Sequence, residues 1–230
     1  MFGTNTLTLI LGLVLFSFSV TSALIIPFID LLYKLKFLRL KEAPKKGKVP
    51  LIDKLLDKKA GVPTGGGILL VIVVSTIFMV VFKVLVSSGF YVQSSHNLNW
   101  EIGILLFTFV SYALLGLSDD WLKIFGKPKK GTLGMWVGLG RKVKFGMQWL
   151  LAILIALLIY KFLGVSIIHI PILDVVVNLG VFYIPFAAFL IVFLANAFNL
   201  TDGLDGLSCG LLVIFLISYI FITATALDTP

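Results

Sequence analysis

Gly65-Gly-Gly-Ile-Leu-Leu-Val-Ile-Val-Val-Ser-Thr-Ile-Phe-Met-Val-Val-Phe-Lys-Val-Leu-Val-Ser87 carries a single charge, at Lys83. A run of this length and apolarity suits the hydrocarbon core of a bilayer, which takes about 20 residues of helix. A surface helix of a soluble domain would instead alternate apolar and polar faces with a period of 3.6 residues. Five further runs share the pattern, over about 7–32, 101–118, 145–163, 181–198 and 207–227. The first is long enough to tilt or to continue past the interface, and Pro27 is a candidate kink within it. The sequence therefore predicts an all-α fold, a polytopic membrane helical bundle of about six transmembrane helices, with residues 1–230 as a single membrane domain.

Composition agrees with that reading. Charged residues make up 13% of the chain, about half the share usual in globular proteins, and the mean hydropathy is +1.10. One cysteine, Cys209, excludes an internal disulfide framework and a cysteine-rich metal site. The N-terminal run lacks a charged leader and a small-residue cleavage site, so it reads as a retained span, not a signal peptide.

The connections set the orientation. Residues 33–64 hold ten Lys or Arg, and residues 119–144 hold seven, so two connections carry seventeen of the nineteen basic residues. By the positive-inside rule both lie in the cytoplasm. The cytoplasmic loops are then about 33–64, 119–144 and 199–206, with the N-terminus and the connections 88–100 and 164–180 outside. The Lys-rich stretch 41–50 also reads as a simple contact with anionic headgroups.

Three clusters at the predicted cytoplasmic ends carry chemistry. Ser118-Asp119-Asp120-Trp121-Leu122-Lys123 closes the third span. Adjacent carboxylates repel, more so near a bilayer, which points to a bound cation or a proton-handling pair. An interfacial pair neutralised by nearby lysines is the alternative. Asn196, Asn199 and Asp202 recur every three residues, with Asp205, Gly203 and Gly206 following. At 100° per residue the first three share one helix face, and such oxygen donors suit a hard cation or the base and ribose of a nucleotide. Lys58-Lys-Ala-Gly-Val-Pro-Thr-Gly-Gly-Gly67 lacks the ending of a phosphate-binding P-loop. Its glycines fit close helix packing. Functionally, Lys59 offers a point charge for phosphate, and Thr64 a hydroxyl that can also cap the following helix. His96 and His169 fall in the outside loops, and no role is expected of them.

These residues resemble the polyprenyl-phosphate N-acetylhexosamine-1-phosphate transferases (glycosyltransferase family 4), most of all the phospho-N-acetylmuramoyl-pentapeptide transferase branch. The resemblance rests on Lys59 to Gly67, on Asp119-Asp120-x-x-Lys123, on Arg141 to Gln148, on Tyr183-Ile-Pro-Phe186, and most specifically on Asn199-Leu-Thr-Asp-Gly-Leu-Asp-Gly-Leu207. It covers the chain from about residue 20 onward. The family usually reads Thr-Pro-Thr-Met-Gly-Gly where this chain has Val62-Pro63-Thr64-Gly65-Gly66-Gly67. The family has about ten spans, and a later Gly-Asp-x-Gly-Ser segment, whose aspartate binds Mg²⁺, and a histidine-rich loop are missing here. The chain thus reads as an N-terminal portion, from a truncated record or a natural truncation.

The resemblance implies a Mg²⁺-dependent enzyme of the bacterial cell membrane, active on its cytoplasmic face in the first membrane step of peptidoglycan synthesis. It would transfer phospho-N-acetylmuramoyl-pentapeptide from UDP to undecaprenyl phosphate. UDP-N-acetylmuramoyl-pentapeptide, undecaprenyl phosphate and the lipid bilayer are the implied partners, a homodimer is plausible, and nucleic acid is not expected. Asp119 and Asp120 are the candidate catalytic residues, with Asp119 at the lipid phosphate. Lys59, Thr64, Lys123, Lys144, Asn199, Asp202 and Asp205 are the candidate substrate contacts, and Asp120 and Asp202 the candidate metal ligands. A sister transferase for UDP-N-acetylglucosamine, a membrane transporter and a non-catalytic scaffold are the rival readings.

Overall fold

The computed structural model describes residues 4–38, 61–88, 94, 96–125, 140–170, 173–202 and 206–226. Among these residues six α-helices follow one another: α1 Thr4–Lys34, α2 Gly66–Ser87, α3 Leu98–Phe125, α4 Arg141–Leu158, α5 Tyr183–Thr201 and α6 Leu207–Ala226. Each packs on the next in sequence. Five are long and apolar enough to cross a membrane, and α6 adds a further apolar stretch over Leu207–Ile222. The helical membrane bundle expected from the sequence is the one the chain forms. Pro27 lies inside α1 and does not end it.

Hydropathy misplaces two helix ends, and both differences bear on the site. The third apolar run stops at Ser118, yet α3 continues through Asp119 and Asp120 to Phe125. The fourth run begins at Phe145, yet α4 begins at Arg141 and takes Lys142 and Lys144 into its first turn. Charged side chains end a hydropathy window but not a helix when they find partners or reach the interface.

The tightest seam joins α4 to α5. Ala152, Ala156 and Ala188 are fully buried there, beside Ala187 and Val192, with Trp149, Tyr183, Ile184 and Ile191 around them. Lipid is as apolar as any side chain, so helices associate in a membrane through close packing of small residues. Most large apolar side chains, such as Phe16, Phe18, Leu150 and Phe193, instead point outward.

A second cluster ties the end of α1 to α3. Leu32, Phe37 and Ile124 are buried together, with Phe28 and Ile68 against them. Phe37 meets Trp121 and Phe125 edge-on, with ring centroids 5.6 and 5.3 Å apart. The segment before α2 is clamped to the same place by a bridge between Leu38 and Pro63 and by the Thr64 amide, which donates to the Phe37 carbonyl at 2.9 Å.

The three glycines ahead of α2 divide sharply. Gly65 caps the helix at φ +98°, and a Cβ there would meet Ile68 and Phe37 side-chain carbons at 3.4 Å. Gly66 and Gly67 are helical and have open space where a Cβ would stand. Among the described residues, no close helix packing depends on these two glycines. Gly65→Ala is expected to destabilise the protein by about 1–2 kcal/mol, the cost of a left-handed L-residue. Gly67→Ala is expected to be neutral or to stabilise by roughly 0.5–1 kcal/mol, the usual helical preference for Ala. Thermal unfolding of the two variants in one detergent checks the contrast.

At the opposite end of the bundle α4 closes in a π-turn, Ile159–Leu163, stopped by Gly164 at φ +67°. Trp100 at the start of α3 stacks on Phe162 there, with ring centroids 3.7 Å apart. A hairpin follows, β1 Ile167–Ile170 against β2 Val175–Asn178, antiparallel with Ile167 opposite Asn178. It adds one small sheet to the bundle, and His169 pairs with Asp174 across its turn at 3.0 Å.

Candidate active site

The end of the bundle away from the hairpin gathers the chemistry. Tyr112, Leu115 and Asp119 lie three and four residues apart on α3, and so share one face. Lys144, Gln148 and Ala152 do the same on α4. These two faces meet. The Lys144 ammonium stands 3.1 Å from Asp119 Oδ2, and the Tyr112 hydroxyl donates to the Gln148 carbonyl at 3.2 Å. Asp119 is buried, with 7% of its side chain exposed against 27% for Lys144. The carboxylate thus lies behind the ammonium, inside the helix seam. Asp119 is thus neutralised by a lysine, as one of the two sequence readings has it, but inside the helix seam and not as a solvated interfacial carboxylate. Asp120 is half-buried and also engaged.

The seam continues to α5. Gln148 is 5% exposed, and its Oε1 accepts from Asn196 Nδ2 at 2.9 Å. Asn196 gives its other amide hydrogen to the Val192 carbonyl one turn back, at 2.8 Å. Three residues past Asn196, Asn199 is exposed on the last turn of α5. Asp202 ends that helix, its amide donating to the Phe198 carbonyl. Its carboxylate accepts from the buried Ser208 hydroxyl at 3.0 Å, which joins α5 to α6. Gly206, at φ +84°, turns the chain into α6.

Of the residues singled out in the sequence, Asp119, Asp120, Lys144, Asn199, Asp202 and Thr64 therefore stand at one end of the bundle. Thr64 does not cap α2. Gly65 is the capping residue, and the Thr64 hydroxyl is enclosed without a hydrogen-bond partner among the described residues. The reason is the bridge that pulls residues 63–64 back onto Phe37. Lys59 and Asp205 lie outside the described residues, as does the Lys123 side chain. Gln148, Tyr112 and Ser208 complete the arrangement and were not among the sequence candidates. Gln148 had a signal, being the sole amide in the apolar run 145–163 and one turn from Lys144.

Among the described residues no three Asp, Glu, His or Cys side chains converge. Asp119 is held by Lys144, and Asp202 by Ser208. The described residues alone do not make a metal cage.

A bundle of membrane-spanning helices with a buried ion pair and amide-bearing helix ends gathered at one end defines a multi-pass membrane protein with a polar site at its span ends. Its sequence relatives narrow that class. A family profile for glycosyl transferase family 4 matches residues 102–229, which holds all of α3 to α6 except the first residues of α3. The chain is 36% identical to a phospho-N-acetylmuramoyl-pentapeptide-transferase of Thermoanaerobacter sp. (strain X514) over 201 residues, 87% of this chain and 53% of that protein. It is 38% identical to the protein of that name from Borreliella burgdorferi (strain ZS7), over 69% of this chain and 40% of the relative. For the one from Borrelia hermsii the identity is 40%, over 69% and 40%. The chain belongs to glycosyl transferase family 4. It spans about half the length of the curated relatives it matches.

Proposed function

We propose that this site serves the transfer of phospho-N-acetylmuramoyl-pentapeptide from UDP to undecaprenyl phosphate, with release of UMP. One observation carries the reading beyond the names of the relatives. The buried Asp119–Lys144 pair and the Asn196–Asp202 helix end share one end of the membrane spans. A reaction between a lipid phosphate at the interface and a water-soluble nucleotide sugar needs such a place.

In the reaction an oxygen of the lipid phosphate attacks the sugar-bearing phosphorus, and the bond from that phosphorus to UMP breaks. The attacking phosphate monoester is already mostly ionised at pH 7, so no base is required. What the protein supplies is charge neutralisation and in-line placement. Lys144 is the more accessible member of the ion pair, so an approaching phosphate meets the ammonium first. Asp119, behind it, fixes where that ammonium stands. Asn199 and Asp202, exposed one turn along, suit the nucleotide end. Mg²⁺ belongs to the proposal with Asp120 and Asp202 as its candidate contacts. Magnesium is commonly held by one or two carboxylates with substrate phosphates completing its shell, and it would neutralise charge on the diphosphate. The described ends of the two Lys-rich connections, at Lys34–Lys36 and Lys142–Lys144, lie at the site's end of the bundle, which supports a cytoplasmic site by the positive-inside rule.

The test uses the chain itself and a chimera that continues it with the C-terminal part of the Thermoanaerobacter relative. Each is purified and given radiolabelled UDP-N-acetylmuramoyl-pentapeptide or UDP-N-acetylglucosamine, undecaprenyl phosphate, and either Mg²⁺ or EDTA. Lipid-linked muramoyl product from the chimera, lost in EDTA, is the expected result. Product from the glucosamine nucleotide alone assigns the site to a sister transferase, and no lipid product from either nucleotide overturns the reading.

A further inference from the structure

We infer that Gln148 is a positioning residue, and that its amide pair with Asn196 sets the relation between the two halves of the site. The inference rests on the transferase reading above for its consequence in the reaction, but its geometric content stands on the described contacts. Below Gln148 the α4–α5 seam is built from small apolar side chains, namely Ala152, Ala156, Ala188 and Val192. An apolar pair in the next layer would continue that seam without burying two amides, which is unfavourable unless they are bonded. The chain instead places Gln148 and Asn196 there, 2.9 Å apart.

Close packing of alanines is permissive, because helices with small smooth faces can slide or rotate past one another. A hydrogen bond between two side chains is not permissive. Asn196 is itself fixed by its second bond to the Val192 carbonyl, and the backbone carbonyl of Gln148, which any residue there would present, receives the Tyr112 hydroxyl. Three helices are thereby registered at one residue. Lys144, one turn before Gln148, is aimed at Asp119, and Asn199 stands three residues after Asn196, about 60° from it around the helix. A slip of one residue turns a helix face by 100° and would take Lys144 away from Asp119. A buried polar pair that fixes register inside an otherwise apolar interface has precedent in helical assemblies.

The experiment compares Gln148→Met, which keeps length and apolar volume but removes the amide, with the exchange Gln148→Asn/Asn196→Gln, which restores an amide pair. Spin labels at the exposed positions Val143 on α4 and Leu200 on α5, in a Cys209→Ser background, report the α4–α5 distance in the 230-residue chain. The parent is expected to give one narrow distance distribution, Gln148→Met a broadened or shifted one, and the exchange a narrow one again. In the chimera, Gln148→Met is expected to lower kcat about 100-fold, the scale of an ångström-sized misplacement. KM for both substrates should move less than about threefold, since the interaction acts on positioning and not on ground-state binding. An unchanged distance distribution in Gln148→Met overturns the inference, and so does an altered distribution with unchanged kcat. If the parent chimera transfers nothing, the transferase reading fails while the distances still decide whether the amide pair sets the helix geometry. Should Gln148→Met not fold, the exchange variant decides: its narrow distribution sustains the inference, and a broad one overturns it.

Discussion

Asp119→Asn is expected to lower the rate of UMP release by roughly 10²–10³-fold, the range found when one preorganised electrostatic group is removed from a transfer site. The expectation comes from burial and partner. Asp119 is the enclosed member of an ion pair whose other member, Lys144, is the accessible cation. An amide in its place still fills the space but no longer holds the ammonium by charge, so the proposed phosphate contact loses its fixed position. Lys144→Met is expected to abolish transfer and to destabilise the fold. Breaking a buried pair by removing one partner costs about 3–5 kcal/mol, because a charge is left behind. Solvent reaches Lys144, which lowers the expected penalty to about 2 kcal/mol. The double variant Asp119→Asn/Lys144→Met removes both charges and is expected to recover most of that stability while remaining inactive. Thermal unfolding and UMP release, measured on the same preparations, separate the two contributions. Near-normal transfer by Asp119→Asn would remove Asp119 from the active site.

The bundle was legible in the sequence because lipid imposes its demand on runs of consecutive residues. Residues 65–87 announce a span without reference to any other part of the chain, and five further runs do the same. The candidate site was legible in part for a similar reason: Asp119-Asp120 and the Asn196, Asn199, Asp202 series are polar where the surroundings are apolar. What was not legible depends on pairs distant in the chain. Asp119 continues a helix instead of ending one because Lys144, twenty-five residues on, neutralises it. Gln148 matters because Asn196, forty-eight residues on, reaches it. Neither spacing has a periodic signature. The hairpin had a weak local signal, since Ile167, Ile168 and Val175 to Val177 are β-branched and flank Pro171 and Asp174. Against two long apolar neighbours it read as a plain connection. Thr64 was misjudged as a cap because the local motif fits one, while the bridge from Leu38 to Pro63 that overrides it joins segments twenty-five residues apart.

Ala188→Leu is expected to lower transfer about 100-fold while leaving the helices intact. Ala188 is fully buried against Ala152 and Ala156, with no room for three more carbons. In a soluble protein such overpacking costs about 1–3 kcal/mol, and the exposed apolar surface that follows any separation of the helices adds to the loss. In a bilayer the second part is nearly absent, because lipid tails cover the separated faces as readily as protein does. The helices therefore have an inexpensive way to relieve the clash, which is to move apart. Asn196 lies eight residues along α5 from Ala188, about 12 Å at 1.5 Å per residue. A displacement that begins at the alanine seam reaches the Gln148–Asn196 contact within that distance and releases it. The expected signature is unchanged helical content by circular dichroism, a modest fall in unfolding temperature, and a loss of UMP release of about 100-fold, as for any ångström-sized misplacement of reacting groups. Phe193→Ala, on the exposed side of the same helix at 56% exposure, is expected to leave all three unchanged. If Ala188→Leu transfers as well as the parent chimera, the α4–α5 seam does not support the site. If Phe193→Ala fails alongside it, the loss belongs to α5 as a whole and not to its contact with α4.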